Sequence, residues 1–132
     1  MVSNTAIIGR TYKRGEIYDG VTEVLWNALG VDRDEITLDS KLVEDLGAES
    51  IDWLDIVFKI EKRFSIKVPF GELFPSLREE HFRDEGNINK KGMDYLERYH
   101  PHIKIDKKRS RLILADYITV ESVVNYVQGK LN

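Results

Sequence analysis

Apolar positions in this chain fall into three stretches with helical spacing. In the first, Ile17, Val21, Val24, Leu25, Ala28 and Leu29 lie on one stripe, which predicts a helix over residues 16–29 closed by Gly30. Trp26 stands opposite that stripe. The second stretch predicts a helix over 50–64, where Ile51, Trp53, Leu54, Ile56, Val57, Phe58, Ile60 and Phe64 occupy more than half of the circumference. An arc that wide implies burial on more than one side. Asp52, Asp55, Lys59, Lys62 and Arg63 share the remaining face, with Asp55 and Lys59 an i,i+4 pair of favourable orientation. Pro69 closes this unit. The third helix runs over 119–131, with Thr119 as cap, Glu121 at the positive end of the helix dipole and Val120, Val123, Val124, Val127 and Leu131 facing inward.

The connecting segments are less regular. Residues 31–48 are rich in Asp and Ser and read as a loop anchored by Ile36, Leu38, Leu42, Val43 and Leu46. Further on, Pro75 can start a short helix carrying Leu77, His81 and Phe82. Asn89 can cap another, with Ile88 stapled on Met93, Leu96 on the same side and Pro101 as a stop. Lys90, Lys91 and Gly92 are poor choices for its first turns. Ile103–Ile105 and Leu112–Leu114 flank a charged stretch, and either pair as a short hairpin or sit as buried loop.

Composition narrows the function classes. A length of 132 residues suits one domain, or at most two small ones. Without cysteine there is no disulfide, thiol nucleophile or Cys-based zinc site. Apolar runs reach only about four residues, too short for a membrane span. Met1–Gly15 lacks the continuous apolar core of a secretion signal, so the expected address is cytoplasmic. The net charge of −3 conceals a division: residues 1–15 carry +3, residues 16–61 carry −10, and residues 62–132 carry +4. An acidic surface steers basic partners and repels nucleic acid. The bases Lys104, Lys107, Lys108, Arg109 and Arg111 form a modest anion-binding candidate with few interleaved aromatics. His81, His100 and His102 match no strong metal-binding spacing, so no metal is expected.

The segment with the most chemistry is Asp45-Leu46-Gly47-Ala48-Glu49-Ser50-Ile51-Asp52, which places a serine hydroxyl at the first residue of the strongly apolar second helix. Ser at such a position is ordinarily a cap. A helix N-terminus also welcomes a phosphate, because its free N–H groups and dipole stabilise an anion. Leu42-Val43-Glu44-Asp45-Leu46-Gly47-Ala48-Glu49-Ser50-Ile51-Asp52 closely resembles the attachment motif of acyl carrier proteins. The likeness runs without a gap through Leu54, Ile56, Val57, Ile60, Glu61, Phe64 and Ile66 to Val68-Pro69. Upstream it includes Leu25…Leu29-Gly30-Val31 and Glu35-Ile36-Thr37, and it resumes at Ile118-Thr119-Val120. Glu49 stands where the family usually has Asp, and Lys59, Lys62 and Arg63 make the far end of the second helix less acidic than is typical.

The resemblance implies an all-α, acyl-carrier-like four-helix bundle in a single domain over residues 1–132, with carrier-like parts at 16–69 and 116–131. It implies 4′-phosphopantetheine on Ser50, installed by a phosphopantetheinyl transferase. The chain itself would catalyse nothing; the prosthetic arm would supply the thiol that the sequence lacks. Glu44, Asp45, Glu49, Asp52 and Asp55 would dock basic patches on acyl synthases, ketosynthases and acyltransferases. Leu42, Val43, Leu46, Ile56, Ile60, Phe64, Ile118 and Val124 would line an acyl pocket, or simply pack the core. A monomer and no nucleic-acid partner are expected. Phe70–Tyr117 is 48 residues long, which leaves roughly 40 more than the family places there, and a loop of that length is functional or disordered. Its apolar content predicts order, packed on the bundle over Trp26 or Trp53. Such an elaboration resembles long variants that serve specialised acylation, including very-long-chain or hydroxylated acyl groups for lipid A. The remaining alternatives are a polyketide or nonribosomal carrier module, and an unmodified carrier-like adaptor in which Ser50 is only a cap.

Overall fold

The computed structural model describes residues 12–76 and 80–132. Among them lie four α-helices, α1 (Arg14–Leu29), α2 (Asp52–Phe64), α3 (Lys90–Tyr99) and α4 (Val120–Leu131), and a two-stranded antiparallel hairpin of β1 (Arg83–Asp84) and β2 (Asn87–Ile88). The fold is thus mainly helical, as expected. Ile17, Val21, Val24 and Leu25 of α1, Ile56, Ile60 and Phe64 of α2, and Val120, Val123, Val124 and Val127 of α4 meet in one buried cluster. Each such side chain contributes about 1.5–3 kcal/mol relative to exposure.

Helix α1 begins at Arg14, two residues before the start expected at residue 16. Arg14 explains the extension, since its guanidinium donates to Gln128 Oε1 (2.6 Å) and Asn125 Oδ1 (2.9 Å) on α4. Helices α1 and α2 approach closely at Gly20, where an added Cβ would lie 2.5 Å from the Phe64 ring. The loop before α2 is sewn to the head of α4: Leu42 N–H donates to Ile118 C=O, Val120 N–H to Ser40 C=O and Glu121 N–H to Leu38 C=O.

Helix α2 is narrower in its burial than its sequence implies. Ile56, Ile60 and Phe64 are buried, whereas Ile51, Leu54 and Phe58 are 79%, 56% and 54% exposed. The helix leans on α1 along one line, so a second apolar line, at spacing 51, 54 and 58, faces solvent.

The inserted segment is ordered where described, and its Leu73, Ile88, Leu96, Ile103 and Leu112 belong to the same buried cluster as the helices. Phe74 covers Trp53, with ring centroids 4.8 Å apart. Trp26 is instead left to solvent, with the Arg33 guanidinium 5.4 Å above its ring. Pro75 and Ser76 are not helical and a short 3-10 turn stands at Glu80–Phe82; residues 77–79 of the short helix expected from Pro75, Leu77 among them, lie outside the described residues. Most of the N-terminal stretch read for a secretion signal lies outside them too. Helix α3 forms as expected, with Asn89 accepting from Gly92 N–H at 2.9 Å. Gly92 is required by space, since a Cβ there would sit 2.6 Å from the Phe82 carbonyl oxygen and 2.7 Å from Ile88 Cγ2. No hairpin joins Ile103–Ile105 to Leu112–Leu114. The hairpin forms at Arg83–Ile88 about a two-residue turn, Glu85-Gly86, with φ of 50° and 85°. Leu112 C=O then accepts from Ile88 N–H on the outer edge of β2.

Two buried histidines fasten the insertion. His100 Nδ1–H donates to the Glu72 carbonyl and His102 Nε2–H to the Leu73 carbonyl, both at 2.9 Å. The Glu72 carboxylate in turn accepts from Tyr126 OH (2.6 Å) and Lys130 Nζ (2.7 Å) of α4. Burial pushes both imidazoles below the usual histidine range, although their bonds to the carbonyls act in the opposite direction. The hydrogen bonds from Lys130 and Tyr126 hold the Glu72 carboxyl below the usual carboxylate range.

Groups with depressed folded-state pKa values stabilise the fold above their unfolded values and cease to do so as the pH falls. Thermal melts should therefore show stability declining below about pH 6.5 as the histidines take up protons, and again below about pH 4.5 through Glu72. The His100→Asn, His102→Asn double variant should lose the upper limb of that decline. In urea titrations, Gly92→Ala should cost about 1–3 kcal/mol through overpacking.

Candidate functional site

The site is built by a tight passage from loop to helix. Residues Leu42–Leu46 form one helical turn, in which Asp45 N–H and Leu46 N–H both reach the Lys41 carbonyl. Within that turn Leu42 and Leu46, four apart, point into the core, while Val43, Glu44 and Asp45 point out. Gly47 reverses the chain at φ 74°, and the buried Ala48 donates its N–H to the Leu42 carbonyl at 2.8 Å. Gly47 has open space around it, so its conformation and not its size requires glycine.

Ser50 follows as an exposed turn residue and not as the first residue of α2. The helix starts two positions later, with Ile51 as its N-cap residue. Ser50 is therefore not the cap. Its capping work is done by Glu49 and Asp52, which exchange two hydrogen bonds: Asp52 N–H to Glu49 C=O at 2.9 Å and Glu49 N–H to Asp52 Oδ2 at 2.7 Å. Among the described residues no hydrogen bond engages the Ser50 hydroxyl. The imidazoles of His100 and His102 are committed to Glu72 and Leu73, so neither is paired with the hydroxyl as a nucleophile's base would be.

Of the five acids named for docking, four already have local partners. Glu44 pairs with Lys41 at 3.3 Å, and the Asp45 carboxylate accepts from Lys41 N–H at 2.8 Å. Asp52 holds Glu49, and Asp55 meets Lys59 at 2.6 Å. Lys41 also lies 3.5 Å from Asp116, and the bond to Glu44, helped by Asp116, raises its ammonium above the usual lysine range. Glu49 is exposed beside Ser50 with no such cation among the described residues. Pattern reasoning missed the row Ile51, Leu54 and Phe58, which stands exposed beside the acids; the over-wide apolar arc of α2 was the signal that could have found it.

Seven of the eight expected pocket residues, Leu42, Leu46, Ile56, Ile60, Phe64, Ile118 and Val124, are buried in the common core. Val43 is not: it is 40% exposed, because it falls on the outer side of the Leu42–Leu46 turn. Lys104, Lys107, Lys108, Arg109 and Arg111 are exposed, with Lys107 paired to Glu97. No group of three metal-ligating side chains occurs among the described residues, and no helix there is long and apolar enough to cross a membrane.

Residues 19–79, with Ser50 inside them, match the phosphopantetheine attachment site family. The acyl carrier protein of Thermotoga maritima is 40% identical over 60 residues, which is 46% of this chain and 74% of that protein. The chain belongs to the acyl carrier protein family. Acyl carrier protein AcpXL of Brucella melitensis is 44% identical over 55 residues, 42% of this chain and 59% of that protein. AcpXL of Mesorhizobium japonicum is 46% identical over 52 residues, 39% of this chain and 56% of that protein. This carrier-family chain thus spans 59% and 56% of those two relatives.

The attachment site of the family takes covalent 4′-phosphopantetheine, and the residues present fit that group. An exposed, unbonded hydroxyl one turn from the positive end of α2 is open to a phosphate and competes with no internal hydrogen bond.

Gly47→Ala should destabilise the protein by about 1–2 kcal/mol, since a Cβ is disfavoured in the left-handed region. Asp52→Ala should cost about 1 kcal/mol through the lost bond to Glu49 N–H. Urea titration measures both, and circular dichroism should show α2 retained.

Proposed function

We propose that this chain is an acyl carrier whose Ser50 bears 4′-phosphopantetheine. The observation that carries the reading is the Ser50 hydroxyl, exposed and free of internal hydrogen bonds at the head of α2, in a chain with no cysteine. When attached, the arm supplies a thiol that holds acyl groups as thioesters. The chain's own residues orient it: Gly47 turns the backbone outward, and the Glu49–Asp52 pair fixes the helix start so that Ser50 is displayed. Among the described residues none activates the Ser50 hydroxyl, which supports a phosphopantetheinyl transferase as the source of catalysis and a carrier that is not itself an enzyme. Tethering raises the effective concentration of substrate at each docked partner.

Glu44, Asp45, Glu49, Asp52 and Asp55 form the docking rim, with Ile51, Leu54 and Phe58 as its apolar centre. The partners are acyl synthases, ketosynthases and acyltransferases presenting basic patches around an apolar contact. Steering by the acids weakens as salt is added. The pathway is specialised lipid acylation, with very-long-chain or hydroxylated groups for lipid A as its substrate class. The extra segment and the likeness to proteins named AcpXL support that choice over polyketide or nonribosomal assembly. The protein acts as a monomeric single domain in the cytoplasm.

Co-expression with a phosphopantetheinyl transferase should add the mass of one arm to the intact protein, and Ser50→Ala should abolish the addition. Addition to the Ser50→Ala variant would refute the site. No addition to either protein would leave the carrier-like adaptor as the function.

A further inference from the structure

Close to Ser50 in sequence, a half-buried aromatic pair joins α2 to the inserted segment. Trp53 is half-buried on α2, three residues after Ser50, and Ile56 and Ile60 continue its side of the helix into the core. Its ring meets that of Phe74 at 4.8 Å with 48° between the planes. Phe74 belongs to the inserted segment, and the backbone just before it is clamped from two directions. His100 and His102 hold the Glu72 and Leu73 carbonyls, and Tyr126 and Lys130 of α4 hold the Glu72 carboxylate. Leu73 is itself buried, and Pro75 restricts the backbone of Phe74 from the other side. The movable parts are consequently the two rings and not the chain that carries them.

We propose that Trp53 and Phe74 form an acyl gate, parting to admit long saturated acyl chains into the core along Ile56 and Ile60 and staying closed to short ones. The proposal rests on the carrier reading and adds to it a pair of residues that discriminates by chain length. Parting one aromatic contact loses less than burial of several methylenes returns, so a long chain opens the gate and an acetyl group does not. Because the Glu72 and Leu73 carbonyls are bonded to His100 and His102, and the Glu72 carboxylate to Tyr126 and Lys130 of α4, the inserted segment holds the outer leaf of the gate in place. That gives roughly 40 extra residues a task next to Ser50.

The test is proton NMR of the protein carrying its arm on Ser50, loaded in turn with acetyl and hexadecanoyl groups. Nuclear Overhauser cross-peaks between the Trp53 indole and the Phe74 ring should persist in the acetyl form and be lost in the hexadecanoyl form. New cross-peaks should join the acyl methylenes to Ile56 and Ile60. Unchanged Trp53–Phe74 cross-peaks in the hexadecanoyl form, or acyl cross-peaks to Leu54 and Phe58 instead, would overturn the gate while leaving the carrier assignment intact. Absence of any arm on Ser50 by intact mass would overturn the carrier assignment and the gate with it.

Discussion

Helix α2 rests on α1 through one line of side chains, Ile56, Ile60 and Phe64, and the terminal ring of that line lies where a Cβ on Gly20 would be. This contact sets the distance between the two helices and fixes the rotation of α2 about its own axis. With that rotation fixed, Ile51, Leu54 and Phe58 must face outward, and Trp53 falls between the buried and exposed lines. The same seating carries the head of the helix, so Ser50 is displayed by packing that takes place up to four turns away. A larger side chain at position 20 would rotate or lift α2 and move every one of these features together.

The second anchor is at the other end of the site. Backbone bonds between residues 38–42 and 118–121 tie the loop before Ser50 to the head of α4. Helix α4 also holds Arg14 at its side and Glu72 near its end. It therefore touches α1, the loop that turns into the site and the inserted segment. The insertion is not an appendage on such a frame. Its buried leucines and isoleucines join the same cluster as the helices, and its histidines are satisfied by the carbonyls of the turn residues Glu72 and Leu73, just before Phe74. Charge follows the same division: the acidic segment surrounds Ser50, while the exposed bases at 104–111 lie in the insertion.

Much of this was legible in the residues. Strong 3.6-residue periodicity with caps at Gly30 and Thr119 placed α1 and α4 to within about two residues, and the Asn89 cap with the Pro101 stop bracketed α3, because those signals are local. The attachment motif marked Ser50 through many positions in register. Three features escaped. The start of α2 was set two residues early, since the reciprocal Glu49–Asp52 bonds displaced the serine from the capping position. Val43 was assigned to the interior because a single helical turn at 42–46 cannot be told from loop by pattern alone. The apolar runs Ile103–Ile105 and Leu112–Leu114, open in sequence to a hairpin or to buried loop, do not pair, and the hairpin stands instead at the polar Asp84-Glu85-Gly86-Asn87, where turn chemistry outweighs hydrophobicity.

The sequence by itself determined the helices, the acidic setting of Ser50, the absence of a thiol and the existence of an ordered insertion. Periodicity, charge and composition act over neighbouring residues and can be read there. Only the tertiary structure decided which third of the apolar arc on α2 is buried, which tryptophan the insertion covers, and that His100 and His102 are fasteners of Glu72 and Leu73. Those outcomes depend on which distant surfaces meet, and a helix with apolar residues over more than half its circumference offers several faces among which only packing can choose.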